Sequence, residues 1–108
     1  MTKRVLKAID SSIAHWERML EKGITERDLP TQKHCALCRM FVLEKECCDD
    51  CPVARKSGED YCRGTPYYDA DEALRDWHRG GRPRRAPVRK ELNFLKSVRK
   101  WYIKRMAA

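Results

Sequence analysis

Six cysteines, Cys35, Cys38, Cys47, Cys48, Cys51 and Cys62, fall within 28 consecutive positions of a 108-residue chain. That crowding constrains the fold more than any other feature. The surrounding stretch offers only short apolar pieces such as Met40–Leu43 between turn residues Asp49, Asp50, Gly58, Gly64 and Pro66. It buries too little to fix itself, so the thiols are expected to staple it.

Two of the thiol pairs share one spacing, Cys35-x2-Cys38 and Cys48-x2-Cys51. A two-residue gap brings both sulfurs of a pair onto one ion from a tight turn, and two pairs make the tetrahedral four-sulfur set of a structural zinc site. Cys62 is the alternative to Cys48 as the fourth ligand, so the candidate metal residues are Cys35, Cys38, Cys48, Cys51 and Cys62. Cys47 reads as a spare, because adjacent cysteines rarely both reach one ion. His15 and His34 are chemically able to bind a metal, but beside a full cysteine set they read better as surface or supporting groups. His78 falls at a helix end, where a protonated ring offsets the dipole. Disulfides are less expected. The first residues, MTKRVLKAIDSSIAHW, lack a continuous apolar signal core, which favours a cytoplasmic protein in a reducing compartment.

One structural zinc ion is therefore the expected cofactor. An iron–sulfur cluster also takes four thiolates, and an iron–sulfur redox protein stays open as a third functional reading, although the compact C-x2-C-x2-C run is missing. The H-x-E general-base signature of zinc deaminases is absent as well, as are a Gly-rich phosphate loop and a Ser/His/Asp order. A non-enzyme is expected.

Helical periodicity surrounds the cysteine region. Residues 5–21 place Val5, Leu6, Ile9, Ile13, Trp16, Met19 and Leu20 on one arc, with Gly23 as a stop. A short turn beginning at Pro52 and running through PVARK is expected next, since proline fits the first helical position. A second helix, capped by Asp69 or Asp71, carries Ala70, Ala73, Leu74 and Trp77 at i, i+3, i+4, i+7 and ends at Gly80 and Gly81. Residues 79–90 read as a basic, Pro/Gly-punctuated linker, and 88–106 as a final amphipathic helix with Val88, Leu92, Leu95, Val98, Tyr102, Ile103 and Met106 facing inward. The expected architecture is an α-rich small domain. About three helices pack around a Cys-rich, zinc-stabilised irregular segment, with little or no β. Along the chain this gives an N-terminal helical part (1–23), the Cys-rich segment (24–66) and a helical C-terminal part (67–108), all in one compact domain.

Charge is segregated. Residues 79–108 hold eleven Lys or Arg against the single acid Glu91, while the first 78 residues carry 13 basic and 15 acidic side chains. Within the final helix, Arg89, Lys96, Lys100 and Lys104 share one side, opposite the apolar arc. The candidate binding residues are Arg82, Arg84, Arg85, Arg89, Lys96, Lys100 and Lys104, and the partner they suit is a polyanion. Two partners fit: the phosphate backbone of nucleic acid, or an acidic protein surface. Trp101 and Tyr102 lie close enough to stack on bases if exposed, but both fall within or beside the apolar arc and are expected in the core. No segment reaches the roughly 20 apolar residues of a membrane span.

The pieces Ser12–Glu17 (SIAHWE), Cys35–Cys38 (CALC), Cys48–Val53 (CDDCPV), Cys62–Tyr67 (CRGTPY) and Glu91–Leu95 (ELNFL) together resemble a group of small, uncharacterised cysteine-cluster proteins of bacteriophages and prophages. The order and spacing of the cysteines carry the resemblance, which covers most of residues 10–95. It implies a metal-stabilised, phage-associated protein of the host-cell cytoplasm and brings no established activity. Cys47 and the basic tail lie outside the shared pattern. A phage-encoded inhibitor or modulator of a host protein is accordingly the alternative to a nucleic-acid-binding module.

Overall fold

A computed structural model describes residues 2–25, 51–57 and 65–107. These form four helices: α1 (Thr2–Lys22), α2 (Pro52–Ser57), α3 (Tyr67–His78) and α4 (Arg85–Ala107). No strand occurs among the described residues. The expected α-rich domain is observed; the short apolar piece Met40–Leu43 lies outside the described residues.

The α1 helix follows its apolar period closely. Val5, Ile9, Ile13, Trp16 and Met19 are buried, while Leu6 and Leu20 on the edges of the arc are half-buried. Gly23 adopts φ +93° and donates its N–H to the Met19 carbonyl at 3.1 Å. Only glycine takes that left-handed conformation without steric cost, which is why the helix stops there.

Pro52 opens α2, where its missing N–H costs nothing, and the Cys51 carbonyl accepts the Arg55 N–H at 2.9 Å. Cys51 and Val53 enter the hydrophobic core, and the Lys56 ammonium lies 5.4 Å from the centre of the Phe94 ring on α4.

The α3 helix begins earlier than its acids suggest. The Thr65 hydroxyl oxygen accepts the Tyr67 N–H at 3.3 Å, and the Pro66 carbonyl accepts from Ala70 at 3.1 Å. Asp69 therefore sits inside the first turn, where its charge complements the helix dipole, and neither it nor Asp71 is the cap. Ala70, Ala73 and Leu74 are buried as expected, but Trp77 is half-exposed. At the other end Gly80 (φ +95°) donates to the Trp77 carbonyl at 3.0 Å and Gly81 to the Asp76 carbonyl at 2.9 Å. This paired closure satisfies carbonyls that the helix end would otherwise leave open.

The α4 helix starts at Arg85, not Val88, and the expected linker at 79–90 contracts to the turn between α3 and α4. Pro87 was read as linker punctuation. It falls instead in the first helical turn, where no intrahelical N–H bond is lost.

All three other helices pack on α4. The shared core joins Val5, Ile9, Ile13, Trp16 and Met19 of α1 to Ala70 and Leu74 of α3 and to Val88, Leu92, Leu95 and Val98 of α4. Ile9, Leu74, Val88 and Val98 are exposed by 1% or less. Each aliphatic side chain buried so fully contributes about 1.5–3 kcal/mol of transfer free energy. The α4 helix thus has one side committed to the core.

Candidate functional site

The outward side of α4 is built by a single helical period. Arg85, Arg89, Lys96, Lys100 and Lys104 are all exposed, as are Arg82 and Arg84 in the turn before it. The one acid of this part of the chain, Glu91, is turned inward and only 4% exposed. The solvent-facing side of α4 therefore carries basic side chains and no carboxylate.

Four of the arginines nearby are already engaged. Asp76 accepts from Arg79 at 3.0 Å with one carboxylate oxygen and from Arg84 at 2.6 Å with the other. Arg75 pairs with Asp71 at 2.9 Å along α3. Arg99 reaches from α4 to Asp10 on α1, Nε to Oδ1, at 2.6 Å. Among the described residues Arg82, Arg85, Arg89, Lys96, Lys100 and Lys104 form no ion pair.

Arg85 also sits at the positive end of the α4 dipole, and no acid occupies the first turn. A cation there is unfavourable by about 0.3–1 kcal/mol unless countered. The Asp76 carboxylate, drawn in by Arg84, supplies a nearby negative charge.

Lys96 and Lys100 are brought together in one shallow depression, lined also by Asn93, Ser97, Arg99 and Ile103. Ser97 turns its hydroxyl back to the Phe94 carbonyl at 2.6 Å, so Asn93 and the cations are the groups presented outward. Ile103 corrects the sequence reading: it was placed on the apolar arc, yet it is 38% exposed and lies in this depression. Asn93 and Arg99 were not foreseen as part of the site, although the spacing Asn93, Lys96, Lys100, Ile103 is a helical stripe visible in the sequence.

The two aromatics divide. Tyr102 packs against the core as expected. Trp101 is half-exposed, and the Arg105 guanidinium lies 5.0 Å from its ring centre. Such a cation–ring contact is worth about 0.5–1 kcal/mol at an exposed site.

Of the expected metal ligands, Cys35, Cys38, Cys48 and Cys62 lie outside the described residues, as do Cys47 and His34. Cys51 is described and is 7% exposed, against the core beside Val53. A thiol so placed is shielded from solvent. Among the described residues no group of three or more His, Cys, Asp or Glu stands together, and no helix is long and apolar enough to cross a membrane.

Comparison with known proteins adds no relative: no protein-family model, curated protein or solved structure matches the chain.

Proposed function

We propose that this chain is a small phage-type, zinc-stapled protein that binds the phosphate backbone of nucleic acid through the outward side of α4. The observation that carries the reading is the inversion of Glu91. With the only acid of α4 buried and Arg85, Arg89, Lys96, Lys100 and Lys104 exposed, the outward side of one helix carries cations with no acid among them. Lysine and arginine contacts to phosphate give affinity with little sequence preference. Zinc would be held by the thiolates of Cys35, Cys38 and Cys51 with Cys48 or Cys62. Its contribution is to fix the middle of the chain, leaving recognition to α4.

The test is binding to DNA and RNA across a salt series. If Arg89, Lys96, Lys100 and Lys104 each neutralise a phosphate of a duplex, the logarithm of affinity falls against the logarithm of salt with a slope of about −3.6. A flat response between low and moderate salt would remove the proposal.

Ile103 favours a second reading. An exposed aliphatic side chain within a cationic depression suits an acidic host-protein surface with an apolar contact point. Capture from nuclease-treated host lysate separates the two readings: a protein partner survives the treatment, whereas nucleic-acid bridging does not.

A further inference from the structure

The cations of α4 have counterparts on α1 that the charge asymmetry of the sequence hides. Lys3, Lys7, Asp10 and Ala14 recur at helical spacing along one stripe of α1, and with Leu6 and Ser11 they line a second shallow depression. Lys3 and Lys7 are exposed. Asp10 belongs to this depression and Arg99 to that of Lys96 and Lys100. The two residues are joined by the 2.6 Å ion pair, with side chains 47% and 42% exposed respectively. The two depressions are therefore linked across the α1–α4 seam by this ion pair.

Resting on the reading that α4 meets nucleic acid, we infer that the surface crosses this seam, and that Lys3 and Lys7 engage the second strand of a duplex whose first strand lies along Lys96 and Lys100. Packed helices stand about 8–10 Å apart. That separation lies between the widths of the minor and major grooves, about 6 and 12 Å, and flexible lysine side chains bridge the difference on either side. Each strand presents phosphate at a rise of about 3.4 Å, so two rows of cations suit two backbones. Asp10 lies between the rows. It holds Arg99 at the seam and repels phosphate there, which leaves the backbones to the flanking lysines. The matching ligand is a double-stranded phosphodiester, and an isolated phosphate lacks the span.

The experiment measures binding of the full chain to a short random-sequence DNA duplex, to a single strand of the same length and to inorganic phosphate. Wild type is compared with Lys3→Gln/Lys7→Gln and Lys96→Gln/Lys100→Gln, and circular-dichroism melts check that each variant folds. The α1 variant is expected to lose about tenfold in duplex affinity at low salt and to reduce the salt slope by about 2, with a smaller effect on the single strand. Inorganic phosphate is expected not to bind measurably. A wild-type slope for the α1 variant alongside a loss for the α4 variant overturns the extension onto α1 and leaves the α4 reading standing. No loss from either variant overturns both. An equal loss on single strand and duplex rejects the two-strand arrangement.

Discussion

Arg84 donates from Nη2 to Asp76 Oδ2 at 2.6 Å, joining the residue just before α4 to the last turn of α3. A side chain that the sequence assigns to the binding surface is thereby tied into the corner between two helices. Asp76 also accepts from Arg79, so part of the positive charge of the turn is balanced within the fold.

Arg84→Ala is therefore expected to weaken polyanion binding much less than Lys100→Ala. Its effect on stability should also be small, about 0.5 kcal/mol or less, because both partners are substantially solvated. Parallel affinity measurements at fixed salt check the ranking. An Arg84 effect equal to that of Lys100 would show that Asp76 releases the arginine to the ligand.

The same corner makes a sharper demand on its glycines. A Cβ placed on Gly81 would lie 2.8 Å from the Asp76 carbonyl oxygen, which is backbone and cannot move aside, whereas at Gly80 the space is open and only the positive φ resists substitution. Gly80→Ala is expected to cost about 1 kcal/mol, the ordinary penalty of a left-handed residue. Gly81→Ala should cost more, about 2 kcal/mol or above, since the α3 terminus must shift. Urea unfolding of the two variants tests the order.

Ser12 is the one side chain of the α1 core face whose sequence identity disagrees with its place. It is 5% exposed, and its hydroxyl oxygen has no hydrogen-bond partner. Ser12→Ala removes a desolvated polar group and improves helix propensity, so a gain of about 0.5–1.5 kcal/mol is expected. A loss of stability in thermal or urea melts would mean that the hydroxyl is satisfied in solution.

Metal removal is expected to act on the middle of the chain first. The purified protein should contain about one zinc per chain and be colourless, and chelation, like Cys35→Ser or Cys38→Ser, should lower the melting temperature because metal binding and folding are coupled. Cys51 and Val53 pack into the same core as α4, so loss of the metal is predicted to loosen α2 and its Lys56–Phe94 contact. An unchanged melt in excess chelator would contradict a stapling role, and a coloured sample containing iron would favour the redox alternative.

Periodicity made most of the described fold readable in advance. The buried sets Val5, Ile9, Ile13, Trp16, Met19 and Val88, Leu92, Leu95, Val98 are those the 3.6-residue repeat selects, since a long amphipathic helix has one way to face a core. Gly23 and Gly80 ended their helices for the conformational reason that glycine implies. The misses have local causes. Pro87 reads as a breaker only when its place in the first turn of α4 is ignored. The acids suggest a capped start, whereas α3 starts from Pro66 with no side-chain cap, and Thr65 accepts the Tyr67 N–H just before it. Ile103 reads by residue type as part of the apolar arc, but at that end of α4 Tyr102 meets the core and Ile103 is exposed. The ion pair of Asp10 with Arg99 joins positions 89 apart in the chain, a distance over which no spacing rule operates, so the link between α1 and α4 there is not legible from periodicity.

If α4 binds a polyanion as proposed, its one-sidedness makes the protein respond to salt in two opposing senses. Lys96, Lys100 and Lys104 stand one turn apart, about 6 Å of rise each, inside the screening length of about 8 Å at physiological ionic strength. Like charges so spaced along a helix repel by about 0.2–0.5 kcal/mol per pair. Added salt relieves that repulsion and should stiffen the unbound chain while weakening its grip on any polyanion. In dilute buffer a bound polyanion would take over the role of counterion, so that ligand and salt would become interchangeable supports for the same helix.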